Sequence, residues 1–342
     1  MKKIILVSAI AVLFILLIST ILLVDYFRCP KVDFDIAVFT DCNYNNYNIQ
    51  WNTIDYRYGR FAWVDNSFMG SVIAVQSSDG DTSYIRGYRD IEQIQLAEEG
   101  IYFLSDLRLY LKAYTEASSV ELVAEEVSSF IVTEEYVFYE ALIVDTPSAV
   151  KPSGHTNLMC INKKTKETTL FSEDVNFYCI DNNGLYVKTT YSESDVTVYT
   201  AEGSYSKVRL KGAAYISVQC GGDFLAYYND TALRFIKDGM EDFDTILLGE
   251  AGVKYADVAG ICENELFYVS YRGKQTPETK SEEIASASNG LWKIDPKAGT
   301  KELLSHSTYD ELYSFGSYGL FGVKDGKIYK ISAEDGSAFK IS

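Results

Sequence analysis

Proline is scarce in this chain, five residues in 342, and histidine scarcer still, at two. Few prolines leave hydrogen-bonded ladders uninterrupted, which suits strands. The two histidines are His155, in the loop Pro152-Ser153-Gly154-His155, and His306, after a predicted strand. That pair supplies no histidine-rich metal site, and no Gly-x-Ser-x-Gly elbow accompanies it to suggest a nucleophilic serine. No Cys-x-x-Cys pair and no glycine-rich phosphate loop is present. Long amphipathic helical stretches are also missing. Positive charge is short as well: 31 Lys and Arg stand against 48 Asp and Glu, a net charge of −17. Such a balance opposes binding to nucleic acid or to anionic lipid headgroups. No catalytic residue, cofactor or metal is implied.

One long apolar run is present. Residues 4–24, IILVSAIAVLFILLISTILLV, hold no charge and no proline. At about 1.5 Å rise per residue such a helix spans a hydrocarbon core of about 30 Å. Lys2 and Lys3 precede it, while Asp25, Arg28, Lys31, Asp33 and Asp35 follow, so the positive-inside bias puts the N-terminus in the cytoplasm. The expectation is a cytoplasmic stub at 1–3, an anchor at 4–24, a juxtamembrane segment at 25–46 and an outward domain at 47–342. A cleaved signal peptide is the alternative, but its apolar region is usually about 7–15 residues and ends at a small-residue site. Val24-Asp25-Tyr26-Phe27 offers no such site.

An outward domain permits disulfides. Of the six cysteines, Cys29 and Cys42 are the candidate pair, and Cys160, Cys179, Cys220 and Cys262 read as buried thiols in strands or turns.

The outward region repeats. Two short apolar runs flank a tight turn, a third follows, then a Gly- or Asp-containing turn and a fourth. Second strands begin at Phe61, Ile101, Val137, Leu185, Phe224, Leu266 and Leu320, at separations of 40, 36, 48, 39, 42 and 54 residues. A four-stranded propeller blade takes about 40–45 residues. The predicted fold is therefore an all-β, seven-bladed β-propeller over 47–342, with six or eight blades as alternatives, preceded by one transmembrane helix. Residues 34–40 read as an extra strand that could help close the ring.

The segments GLWKIDPKAG (290–299) and GKIYKISAEDG (326–336) resemble strand-turn pairs of low-density-lipoprotein-receptor-type propellers and of pyrroloquinoline-quinone-dehydrogenase-like repeats. The Tyr-Trp-Thr-Asp signature is lacking in every blade. The resemblance implies the architecture; propellers of these families include receptor domains, enzymes and scaffolds, so no activity is carried over.

Carboxylate pairs such as Glu98-Glu99 and Glu134-Glu135 read as turns between strands, and Ser77-Ser78-Asp79-Gly80-Asp81 as an Asp-Gly hairpin turn rather than a calcium loop. Tyr44, Tyr47 and Trp51 form the best exposed aromatic cluster. Two units are long, with insertions at 145–155 and 272–288, both between second and third strands. Such loops share one face of a propeller, and binding residues gather on loops held by rigid scaffolds. Lys151, His155, Arg272, Lys274 and Glu282 are the candidate partner-binding residues. The expected function is an extracytoplasmic, membrane-anchored binding or scaffolding module for a protein, peptide or envelope glycan. The alternative is a glycan hydrolase or lyase with a carboxylate/Tyr site near the axis.

Overall fold

The computed structural model describes residues 12–21, 52–67, 70–115, 118–143, 156–181, 184–189, 195–199, 205–209, 217–221, 224–228, 232–237, 244–247, 255–262, 265–271, 290–295, 298, 300–314 and 320–341. Residues 12–21 form a helix whose large side chains are exposed, Leu13 by 71%. No helix among the described residues is long and apolar enough to cross a membrane. Cys29, Cys42, the expected strand at 34–40 and the cluster Tyr44, Tyr47 and Trp51 lie outside the described residues.

From residue 54 onward the described elements are strands, all paired antiparallel with their sequence neighbours. The first sheet holds β1 (Ile54–Arg57), β2 (Arg60–Ser67), β3 (Gly70–Ser77) and β4 (Thr82–Tyr88). The second holds β5 (Ile91–Leu96), β6 (Gly100–Ser105), β7 (Arg108–Ala113) and β8 (Val120–Glu125). A seven-stranded sheet follows: β9 (Val127–Val132), β10 (Tyr136–Leu142), β11 (Thr156–Asn162), β12 (Thr168–Asp181), β13 (Gly184–Thr189), β14 (Asp195–Tyr199) and β15 (Tyr205–Arg209). Three four-stranded sheets complete the chain. They are β16 (Ser217–Gly221) to β19 (Asp244–Leu247) through β17 (Phe224–Tyr228) and β18 (Ala232–Lys237); β20 (Tyr255–Cys262), β21 (Glu265–Tyr271), β22 (Gly290–Asp295) and β23 (Thr300–Ser305); and β24 (Glu311–Ser314), β25 (Leu320–Lys324), β26 (Lys327–Ile331) and β27 (Ala338–Lys340).

In the first two sheets the innermost strands are buried and the fourth strands, β4 and β8, largely are not. All four residues of β1 are buried, as are five of six in β5 and in β9, whereas β27 is wholly exposed. Strands covered on both faces usually read as apolar runs, but these also bury the polar side chains Asp55, Arg57, Gln93, Gln95 and Ser129. First strands pack against one another in sequence, β1 on β5, β5 on β9, β12 on β16, β16 on β20 and β20 on β24. Apolar clusters fill the spaces between sheets. Ala62, Ile73 and Val75 meet Ile94, Ile101 and Phe103 across the first gap. Tyr102, Leu104 and Leu109 meet Phe130, Val137 and Ile161 across the second. Ile54, Tyr56, Phe61 and Trp63 of the first sheet meet Tyr313, Phe321, Ile328 and Ile341 of the last. Sheets stacked radially around an axis, with first strands innermost, are the arrangement of an all-β propeller.

The seven-stranded sheet departs from the expectation of separate four-stranded units around the second strands at Val137 and Leu185. Strand β12 runs through that boundary, pairing with β11 as far as Val175 and with β13 from Val175 onward. Asp174 turns the chain there with φ 51°. The same device sits at the two earlier junctions, where Asp90 (φ 47°) and Glu126 (φ 59°) lead into β5 and β9. Aspartate tolerates this left-handed conformation better than most side chains. A register shift follows each junction, beside Glu92, Ser128 and Asn176. These bulges bend the innermost strand as it enters the sheet.

Candidate functional site

The two long connections join β10 to β11 and β21 to β22, second strand to third in both sheets. Lys151, His155, Arg272, Lys274 and Glu282 lie on them, outside the described residues. His306 is exposed after β23. The Ser77–Asp81 segment is a hairpin turn: the Ser77 N–H donates to the Asp81 carbonyl (2.9 Å), Gly80 N–H to the Ser77 carbonyl (2.9 Å), and Gly80 has φ 89°. The Ser77 hydroxyl donates to the Asp79 carboxylate and holds it below the usual carboxylate range. No cluster of three His, Cys, Asp or Glu suited to a metal ion occurs among the described residues. Cys160 is a buried free thiol, pushed up to about 11 by desolvation.

At the opposite end of the hairpins from those long connections, three turns enclose a cleft of about 520 Å³, lined by Glu99, Glu134, Glu135, Asn162, Lys163, Lys164 and Lys166. Glu99 comes from the β5–β6 turn, Glu134 and Glu135 from β9–β10, and the remainder from β11–β12. The cleft therefore spans two adjacent sheets. The Lys163 ammonium reaches both carboxylate oxygens of Glu99, at 2.7 and 2.9 Å, and donates to the Thr133 carbonyl at 3.1 Å. Tyr102 donates its hydroxyl to Glu99 at 2.8 Å. Lys163 N–H donates to the Glu135 carbonyl at 2.9 Å, tying one turn to the other.

The β11–β12 turn is shaped locally. Asn162 accepts the backbone N–H of Lys164 (2.9 Å) and of Thr165 (3.0 Å) on its side-chain oxygen. Its carbonyl accepts the Lys166 N–H at 2.8 Å, and Lys166 has φ 63°. The β26–β27 turn repeats the geometry, with Ser332 in the place of Asn162 and Gly336 (φ 67°) in that of Lys166. A short polar side chain folding back on its own turn is a common device in such hairpins.

A second polar group lies between β9, β10 and β12. One Glu140 carboxylate oxygen accepts the hydroxyls of Ser128 (3.0 Å) and Ser129 (3.1 Å), and Ser129 lies 3.3 Å from the Tyr178 hydroxyl. Burial pushes the Glu140 carboxyl up, opposed by the two serines. Burial and the neighbouring Glu140 charge push the Tyr178 phenol up. Ser129 and Tyr178 belong to innermost strands. Nearer the first sheet, Asp55 is wholly buried, accepts the N–H of Tyr56 (2.9 Å) and Leu96 (2.6 Å), and lies 3.4 Å from the Arg57 guanidinium. Desolvation raises its carboxyl despite these partners.

Sequence reasoning set Glu98-Glu99 and Glu134-Glu135 at turns, where they are, but gave them no role. It passed over Lys163-Lys164-Thr165-Lys166, although three lysines within four residues stand out in a chain this acidic.

No protein-family model matches the chain, and no curated protein matches it in sequence. Solved structures do. Acylaminoacyl peptidase of Pyrococcus horikoshii superposes with a TM-score of 0.57 at 12% identity, over 91% of this chain and 54% of that one. Oligogalacturonate lyase of Vibrio parahaemolyticus gives 0.51 at 10% identity, over 86% and 89%. PorZ, a bacterial surface component of the type-IX secretion system of Porphyromonas gingivalis, gives 0.50 at 15%, over 75% and 33%. This chain thus spans about half of the peptidase and a third of PorZ. At these identities the likeness is one of fold: the class is propeller-like, and its members here include two enzymes and a surface component.

Proposed function

We propose that this chain is a seven-bladed propeller acting as a binding or scaffolding module outside the cell, held at the membrane by residues 4–24. Dividing the seven-stranded sheet at Asp174, with β12 serving both halves, leaves seven sets of four strands. The partner is a protein, peptide or envelope glycan lying near the membrane. The observation that carries this reading is the cleft between the second and third units, whose walls are cross-tied by Lys163 and Glu99 while its rim charges stay exposed. An open polar cleft of this size, on turns fixed by a rigid scaffold, suits recognition. The loop face carrying Lys151, His155, Arg272, Lys274 and Glu282 is proposed as a second docking surface.

A second reading has one observation in its favour. Glu140, Ser128, Ser129 and Tyr178 combine a carboxyl raised by burial with a phenol at the innermost strands. Perturbed carboxyls of this kind serve as acids in glycan-cleaving enzymes.

Affinity capture from an envelope extract, using the detergent-solubilised full chain and a glycan array in parallel, separates the two. The binding reading expects a saturable partner and no turnover. Release of reducing sugar, unsaturated sugar or peptide product would overturn it in favour of the enzyme.

A further inference from the structure

The cleft has a property that neither reading requires. Its exposed rim is divided by charge. Glu134 and Glu135 stand on the β9–β10 turn, Lys164 and Lys166 on the β11–β12 turn, and no ion pair joins the two sets among the described residues. Only the floor is paired, through Lys163 and Glu99. The turns are tied to one another by the Lys163 N–H to Glu135 carbonyl bond, and the Asn162 side chain fixes the β11–β12 turn itself. Two opposite charge sets thus face one cleft on turns fixed by backbone bonds, and a ligand need not order the turns before using them.

Lys166 is one of the two ammonium groups on the rim. It occupies a left-handed position for which the corresponding turn of the last sheet uses Gly336. Glycine would relieve the backbone but would remove an ammonium group from the cleft. The whole chain carries net charge −17, so an anionic group reaches this rim only where lysines are concentrated.

We infer that the cleft binds a short peptide segment bearing both charges, its carboxylate on Lys164 and Lys166 and its ammonium on Glu134 and Glu135. This rests on the binding-module reading and narrows it. A cleft of about 520 Å³ falls within the range of roughly 300–1,000 Å³ usual for small-ligand sites.

The test is calorimetric titration of the full chain in detergent with three N-acetylated, C-amidated tetrapeptides: Lys-Ala-Ala-Glu, Lys-Ala-Ala-Lys and Glu-Ala-Ala-Glu. The first should bind about 10-fold more tightly than either other, because each competitor loses one exposed pair of up to about 1 kcal/mol and gains a like-charge contact of similar size. The preference should shrink as salt shortens the Debye length from about 10 Å at 0.1 M to about 3 Å at 1 M. The double variant Lys164→Glu/Lys166→Glu, made on exposed turn positions, should lose that preference and select Lys-Ala-Ala-Lys instead. Equal affinity for all three peptides, or no binding by the folded wild type, overturns the inference. If an envelope partner is captured equally by wild type and double variant, the cleft assignment fails while the binding-module reading stands. If nothing is captured and no peptide binds, both fail.

Discussion

Lys166 and Glu140 show how single side chains carry the tension between stability and use. A left-handed, non-glycine residue costs about 1–3 kcal/mol, whereas glycine recovers that at an entropic cost of about 0.5–1 kcal/mol. Lys166→Gly should therefore stabilise the fold by about 1 kcal/mol in urea denaturation while weakening peptide binding in the cleft. Loss of stability would mean that the ammonium, not the backbone, governs this turn. Glu140 has a different signature. Its carboxyl is raised, so the proton is held more tightly in the folded chain than in the unfolded one. The resulting stability is fully present below an ordinary glutamate pKa of about 4.3, and it is lost as pH rises through the folded value. Glu140→Gln keeps an acceptor for Ser128 and Ser129 without the charge. The variant should gain on wild type in thermal denaturation as pH rises from about 4 to 8, and a constant difference across that range would contradict the burial argument.

At the level of the strand, adjacent innermost strands are joined by side chains that imitate a backbone ladder. Gln95 donates its amide to the Val132 carbonyl at 2.9 Å and accepts the Val132 N–H at 2.8 Å; Gln93 does the same with Phe130, at 2.6 and 3.2 Å. All these atoms are buried, so removing one partner strands two backbone groups. Gln95→Ala should cost roughly 1–3 kcal/mol, with faster amide exchange at Val132 as the local readout. Unchanged exchange there would show the clamp to be incidental. The second strands, beginning near Phe61, Ile101 and Val137, were legible in the sequence as apolar runs, whereas the innermost strands were less so, because β5 (IEQIQL) and β9 (VSSFIV) bury Gln93, Gln95 and Ser129. Their starts also follow a pattern visible afterwards: an acid, a β-branched residue, then the bulge, as in Asp90-Ile91-Glu92, Glu126-Val127-Ser128 and Asp174-Val175-Asn176. What the sequence could not reveal was the cleft. Glu99, Glu135 and Lys163 are brought together by the stacking of two sheets, and charge pairs across turns have no fixed spacing along a chain. The buried amide clamps escaped notice for the same reason.

Across the whole molecule, the contact between the first and last sheets decides whether the stack is a ring. Phe61 stacks on Trp63 at 5.6 Å and on Phe321 at 5.8 Å between ring centroids. Thr53 lies 3.3 Å from the Tyr313 hydroxyl, which in turn bonds Glu311. No described strand is shared across this seam, so side-chain packing closes it. Phe61→Ala should cost about 3–5 kcal/mol, with amide exchange rising first in β1 and β24. A uniform rise in every sheet would indicate that the seam is no weaker than the other gaps.

The measurement that bears most directly on the binding account is photocross-linking of the full chain with a benzophenone amino acid at position 165, exposed beside the cleft lysines, or at Leu107, on the opposite face, incubated with envelope extract. A saturable adduct is expected from position 165, one that unlabelled chain competes away and that the Lys166→Glu variant diminishes. Absence of any adduct from position 165, together with turnover of a glycan or peptide in the same extract, would contradict binding.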